Sequence, residues 1–109
     1  MIYIASPYWH EKKKIRKYRR KQAIRYSLNL ARWGILNYCP LLYTSWIKDL
    51  EIPEEYWLFH STKMIDAAHV IHVLCLDGWE ESKGVSQEID VAEGKGLPVS
   101  YIDPWLVLR

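Results

Sequence analysis

One stretch governs what this chain can become: Val70-Ile71-His72-Val73-Leu74-Cys75-Leu76, an apolar run broken only by one histidine. A strand with one wet face alternates apolar and polar side chains, whereas a run like this belongs to a strand covered on both faces, as in parallel sheets flanked by helices. It is expected at the centre of the sheet. Met1-Ile2-Tyr3-Ile4-Ala5 reads as a second buried strand, halted by Ser6-Pro7. Ile35 to Cys39, ended by Pro40, and Val99 to Ile102 supply two more.

Helical patterns fall between these strands. From about 11 to 33, Ile15, Tyr18, Tyr26, Leu30 and Trp33 recur near the 3.6-residue period, and Gly34 stands where a helix C-cap belongs. Residues 41–52 show no clear period and are expected to form a loop over the sheet. Pro53-Glu54-Glu55 is an acidic, proline-led helix start, running to about Ala68, and Ser82 to Lys95 gives a last helix capped by Gly96. The order βαβαβαβ predicts an α/β fold: one domain over residues 1–109, a parallel sheet with helices on both faces, Rossmann-like or flavodoxin-like. Ligands of such sheets bind outside the C-terminal ends of the strands, where loops 6–10, 40–46 and 77–84 should meet.

Charge is distributed unevenly. Nine of the fifteen Lys and Arg residues fall between Lys12 and Arg25, leaving six against thirteen acidic residues, of which only Glu11 precedes Asp49. Such a run forms a solvated helix face, attracts nucleic acid, or steers a phosphorylated small molecule. Nucleic acid is the least expected of these partners, because no paired recognition module accompanies the charge. Cys39 and Cys75 lie in apolar surroundings without a CxxC spacing, and no signal peptide or apolar span of membrane length is present. A reduced, cytoplasmic protein with no membrane partner is expected. The four histidines show no ligand spacing, so no metal is expected, and no cofactor is called for.

Six Trp and eight Tyr against one Phe suit pocket walls and subunit interfaces. Leu41, Leu42, Tyr43, Trp46 and Ile47, with the tail Pro104-Trp105-Leu106-Val107-Leu108, offer more apolar surface than three helices on a sheet readily cover. A homodimer or larger closed homo-oligomer is the expected assembly.

The chemistry concentrates in Asp77-Gly78-Trp79-Glu80-Glu81-Ser82-Lys83-Gly84-Val85-Ser86-Gln87-Glu88, a polar loop that follows the buried strand and opens a helix. Gly84 is expected to permit a tight strand-to-helix passage. Ser82, Ser86 and the first free helix N–H groups can hold an anion, and Glu88, one turn past Gly84, can reach the same pocket. A plainer alternative makes Glu88 an exposed helical carboxylate paired with Lys83 or Lys95.

Tyr3-Ile4-Ala5-Ser6-Pro7, an Asp-containing helix leading into Val70-Ile71-His72-Val73-Leu74, Ser82-x-Gly84-x-x-x-Glu88-Ile89, Ala92 and Gly96-Leu97-Pro98-Val99 together resemble the nucleoside 2-deoxyribosyltransferase superfamily. The pattern is most similar to small bacterial and phage proteins of that superfamily carrying Gly-Trp-Glu-x-Ser-x-Gly-Val, and to 2′-deoxynucleoside 5′-phosphate N-glycosidases. The resemblance implies cleavage or transfer at the N-glycosidic bond of a (2′-deoxy)nucleoside 5′-monophosphate. Glu88 would be the nucleophile, Tyr3 the hydroxyl that bonds it, and Asp66 the carboxyl that protonates the departing base. His69 stands where the family commonly has an acid; it either joins the site or is a histidine at a strand mouth. Asp77, Trp79, Ser82, Gly84 and Ser86 of the loop, with Ser6, would bind substrate, a nucleotide or nucleoside. In the family an Asp at position 82 accompanies free nucleosides and a Ser accompanies 5′-phosphates, so Ser82 implies the phosphate. The superfamily also completes its pockets with residues from a neighbouring subunit. A non-catalytic nucleotide-binding or sensing module of the same fold is the alternative.

Overall fold

The computed structural model describes residues 1–44 and 52–107. Strands β1 (Ile2–Ala5), β2 (Asn37–Tyr38), β3 (Val70–Leu74) and β4 (Val99–Ile102) form one sheet in the order β2-β1-β3-β4. All three pairings are parallel. Around the sheet lie α1 (Lys13–Arg32), α2 (Pro40–Thr44), α3 (Glu54–Asp66), α4 (Lys83–Gly94) and the short α5 (Pro104–Val107), with a 3₁₀ turn at Trp79–Glu81 before α4. This is the expected α/β architecture, a parallel Rossmann-like or flavodoxin-like sheet.

The alternation of β1 divides the core in two. Ile2 and Ile4 point to one face, where they meet Ala23 and Tyr26 of α1, Leu41 of α2, and Leu74 and Leu76. Tyr3 and Ala5 point to the other, against Ile65 of α3, Val85 and Ala92 of α4, and Ile71 and Val73. Ile4, Ile71 and Leu74 are fully buried, and each such side chain contributes about 1.5–3 kcal/mol of transfer free energy. The apolar run at 70–76 is thus central, with β1 on one side and β4 on the other.

Helix α1 ends as its sequence proposes. Gly34 takes φ +73°, its N–H bonds the Ala31 carbonyl at 2.9 Å, and the Ile35 N–H returns to Leu30 at 3.0 Å, closing the C-terminal turn with a left-handed residue that glycine adopts without strain. That closure shortens the next strand. Ile35 is occupied in finishing α1 and both Ile35 and Leu36 are exposed, so the strand expected over 35–39 is reduced to Asn37–Tyr38 at the sheet edge. The loop expected from 41 begins instead as α2, with Pro40 in the first helical position, where its missing N–H costs nothing. Trp46 and Ile47 lie outside the described residues, as does Leu108. Trp105 and Leu106 are exposed, as expected of an uncovered apolar tail.

Chain order places the functional crevice. From β1 the chain moves to β2 on one side of the sheet, and from β2 it crosses to β3 on the other. The carboxyl ends of β1 and β3 are therefore the switch point at which open α/β sheets receive ligands. Arg19, a buried arginine of α1, ties the two loops that leave those ends: Nη1 donates to the Trp9 carbonyl and Nη2 to the Asp77 carbonyl, each at 2.8 Å. Among the described residues no helix is long and apolar enough to cross a membrane.

Candidate functional site

A cavity of about 940 Å³ opens at this switch point. Ser6, Tyr8 and Trp9 form its wall after β1, and Glu81, Ser82, Lys83 and Gly84 form the wall leading into α4. Trp57, His60 and Ser61 of α3 close one side, while Lys13, Arg16, Lys17 and Arg20 of α1 close another. A smaller hollow of about 410 Å³ adjoins it, shares Trp9, Trp57, Ser61, Lys83 and Gly84, and is lined by Glu88. The two are parts of one cleft, with a carboxylate at one end and cations at the other.

Glu88 occupies the second turn of α4, facing the sheet. Its Oε2 accepts a hydrogen bond from the hydroxyl of Tyr3, which rises from β1 and is itself fully buried. Burial pushes the Glu88 carboxyl up to about 7, with the Tyr3 hydrogen bond pulling the other way. The Tyr3 hydroxyl is held well above the usual tyrosine range, first by burial and then by the negative charge of Glu88, while a hydrogen bond with Ser61 acts in the opposite sense. Lys95, one of the two cations considered as partners for Glu88, is bonded to Asp66 instead.

Ser82 is the N-cap of α4, its Oγ accepting from the Val85 N–H at 3.3 Å. Its own proton remains available to donate. The Gly84 N–H lies in the first turn of the helix, which has no intrahelical acceptors. Ser6, whose hydroxyl makes only a long 3.4 Å bond to the Pro7 carbonyl, faces the same space. Hydroxyls, helix N–H groups and lysine and arginine side chains thus line the same cavity, an arrangement suited to an anion.

Other expected site residues lie elsewhere. Asp66 ends α3 at the opposite edge of the sheet, before β3 begins, and its carboxylate pairs with Lys95. That hydrogen bond holds its carboxyl below the usual range, the reverse of what a proton donor to a leaving base requires. Its place at the end of α3, lining neither hollow and paired with Lys95, corrects the assignment of Asp66 as the acid. His69 is at that same distant edge, exposed, with Nδ1 2.6 Å from the N-terminal ammonium. Asp77 and Ser86 are exposed and line neither hollow, and Asp77 contributes only its carbonyl, to Arg19. Trp79 packs against Tyr101 with ring centroids 5.4 Å apart and joins the core beside α4. Gly84 has ordinary helical backbone; the tight passage after β3 is made by Gly78, at φ +88°.

The α3 wall carries no motif that marks it in the sequence. Trp57, His60, Ser61, Met64 and Ile65 fall at helical spacing on the face that packs toward the sheet, so the periodicity that identifies the core face also carries the first three to the cleft. His60 lies amid Tyr38, Tyr43 and Tyr56, stacked on Tyr43 at 5.5 Å with planes 9° apart.

The fold and cleft define an α/β protein with a switch-point pocket, a buried tyrosine bonded to a half-buried glutamate, and a cationic wall. Residues 9–101 match the family described as Domain of unknown function (DUF4406), and the chain belongs to that family. The family is placed in the nucleoside 2-deoxyribosyltransferase-like clan. A search of curated proteins finds no match to the chain.

Proposed function

We propose that the chain is an enzyme acting at the N-glycosidic bond of a 2′-deoxynucleoside 5′-monophosphate, as a nucleotide N-glycosidase or deoxyribosyltransferase with Glu88 as nucleophile. The observation that carries the reading is the Tyr3–Glu88 hydrogen bond at the wall of a cleft whose other side is built for an anion. A binding module has no use for a desolvated carboxylate beside an anionic ligand. A nucleophile, in contrast, gains reactivity from losing its water and keeps its aim through one fixed hydrogen bond.

In this reading the 5′-phosphate rests against Ser82, Ser6 and the Gly84 N–H, and the sugar lies toward Glu88. The aromatic rings of Trp9 and Trp57, which border both hollows, supply faces for the base. The ionised Glu88 attacks C1′, the C1′–N bond breaks, and the base leaves with the bonding electrons and takes up a proton. Water or a second base then attacks C1′ of the glycosyl ester and restores the carboxylate. Asp66 takes no part. Burial raises the Glu88 carboxyl to about 7, so the ionised form that attacks is favoured as pH rises above neutrality.

The protein acts as a homo-oligomer in a reducing cytoplasm, a reading supported by exposed Trp33, Leu36, Phe59, Trp105 and Leu106 and by free cysteines. Incubation with the four common 2′-deoxynucleoside 5′-monophosphates, followed by chromatography for free base, tests the activity. Base is released by the parent and not by a folded Glu88→Gln variant; release that persists in the variant removes the mechanism. Tight nucleotide binding with no base release by the parent would instead establish a nucleotide-binding module.

A further inference from the structure

The sequence offers nine cations between residues 12 and 25, and the fold sorts them. Lys12, Lys14, Lys21 and Arg25 are exposed and outside the cavity wall, and Arg19 is buried between two carbonyls. Lys13, Arg16, Lys17 and Arg20 all line the large cavity. Their spacing of three, four and seven residues puts them on one stripe of α1. Arg16 is engaged with the His10 and Glu11 carbonyls and lies 5.0 Å over the Trp9 ring. Lys13, Lys17 and Arg20 have no hydrogen-bond or carboxylate partner among the described residues.

Two further facts make this stripe a site rather than a solvated face. The first turn of α1 carries no acidic residue, so Lys13 stands at the positive end of the helix dipole with no carboxylate of that turn to offset it, an arrangement unfavourable in the empty protein. The cations of the stripe also face a walled space of about 940 Å³, toward the upper end of the roughly 300–1,000 Å³ typical of small-molecule sites. Glu81 is the one acid on that wall among the described residues. A single phosphate at Ser82 leaves most of this charge unanswered.

We propose that Lys13, Lys17 and Arg20 form a second anion subsite beyond the Ser82 phosphate position, taking the outer phosphates of a nucleoside 5′-diphosphate or triphosphate. The proposal rests on the reading that a nucleotide 5′-phosphate sits at Ser82, and it extends the ligand class from monophosphates to polyphosphates. A walled cleft, in place of an open stripe, fits a compact polyphosphate better than a nucleic-acid backbone.

Calorimetric titration at low salt, with EDTA present, compares a 2′-deoxynucleoside 5′-monophosphate, its triphosphate and inorganic tripolyphosphate. The triphosphate binds at least about tenfold tighter than the monophosphate, and the advantage shrinks with added salt. In Lys13→Ala/Lys17→Ala/Arg20→Ala the advantage falls to within about threefold, whereas Lys12→Ala/Lys14→Ala/Lys21→Ala, which removes the same charge from the other faces, retains it. Equal affinity for monophosphate and triphosphate in the parent, or equal loss in the two triple variants, overturns the subsite. All six substituted positions are solvent-accessible, and circular dichroism melts verify folding. Tripolyphosphate has no sugar or base, so its binding separates the two readings. If it binds through the stripe while no nucleotide releases base, the subsite stands and the glycosidic reaction falls. If base is released without any polyphosphate preference, the reaction stands and the subsite falls.

Discussion

A Cβ placed on Gly78 would stand 2.5 Å from Nη2 of Arg19. Gly78 also takes φ +88°, so two independent constraints hold that position to glycine: the backbone region and the guanidinium packed over it. Through Arg19 the same contact links the Trp9 and Asp77 carbonyls, and hence the two loops that flank the cleft.

Gly78→Ala is expected to destabilise the protein by about 1–3 kcal/mol, from left-handed strain plus displacement of Arg19. The melting temperature measured by circular dichroism should fall by several degrees. Arg19→Met tests the same tie from the other side, since it removes both carbonyl contacts while keeping much of the volume. An unchanged melt in both variants would mean that the loops are held by other contacts.

Much of this arrangement is legible in the sequence, and the exceptions have physical causes. The run at 70–76 marks a strand covered on both faces because burial on two sides erases alternation, and β3 is central. Ser82, Gly84 and Glu88 come together through a motif confined to one turn and one helix, where spacing in sequence is spacing in space. Asp66 is different: the resemblance alone assigns it to the site, and a helix that runs antiparallel to its strand delivers its last residue to the far edge. Trp79 escapes the motif because a ring in a loop can turn to either wall, and Tyr101 on β4 offers a partner. The role of Arg19 is hidden within a run of like charges, since nothing in the run distinguishes the one arginine that faces inward.

Glu88 makes stability depend on pH in an unusual direction. Its folded pKa of about 7 lies above the ordinary value of 4.5, so between these values the folded protein binds more protons than the unfolded chain, and stability falls as pH rises. The loss begins near 4.5 and is complete above 7. A rise of this size corresponds to a few kcal/mol, on the order of 3. Glu88→Gln, which mimics the protonated carboxyl, is expected to melt higher than the parent at about pH 8, with the gap closing by about pH 5. Parallel melting curves for the two proteins across that range would show that Glu88 titrates normally.

Ser82→Asp probes the anion end. Aspartate caps helices as well as serine does, so α4 should persist. A carboxylate at 82 beside a bound phosphate costs at least about 1 kcal/mol even with substantial screening. The parent is expected to bind a 2′-deoxynucleoside 5′-monophosphate better than the free nucleoside, and Ser82→Asp to narrow or reverse that preference, read by calorimetry. Equal affinity for nucleotide and nucleoside in the parent would remove the phosphate from this position.

Tyr3→Phe isolates the hydroxyl from the ring. Tyr3 is fully buried with Tyr38 beside it, ring centroids 5.8 Å apart, and phenylalanine fills the same space, so the core should survive. What is lost, besides the hydrogen bond with Ser61, is the one that favours the ionised form of Glu88 against the burial that opposes it. The Glu88 carboxyl therefore rises above about 7, and less of it is ionised at neutral pH. If ionised Glu88 is the nucleophile, the acid limb of the pH–rate profile for base release moves to higher pH in the variant. Activity at neutral pH drops, and raising the pH restores part of it, up to the loss that comes from a less firmly aimed carboxylate. A lower rate with an unmoved acid limb would assign Tyr3 to positioning alone. An unmoved limb with an unchanged rate would show that the Tyr3–Glu88 bond is structural.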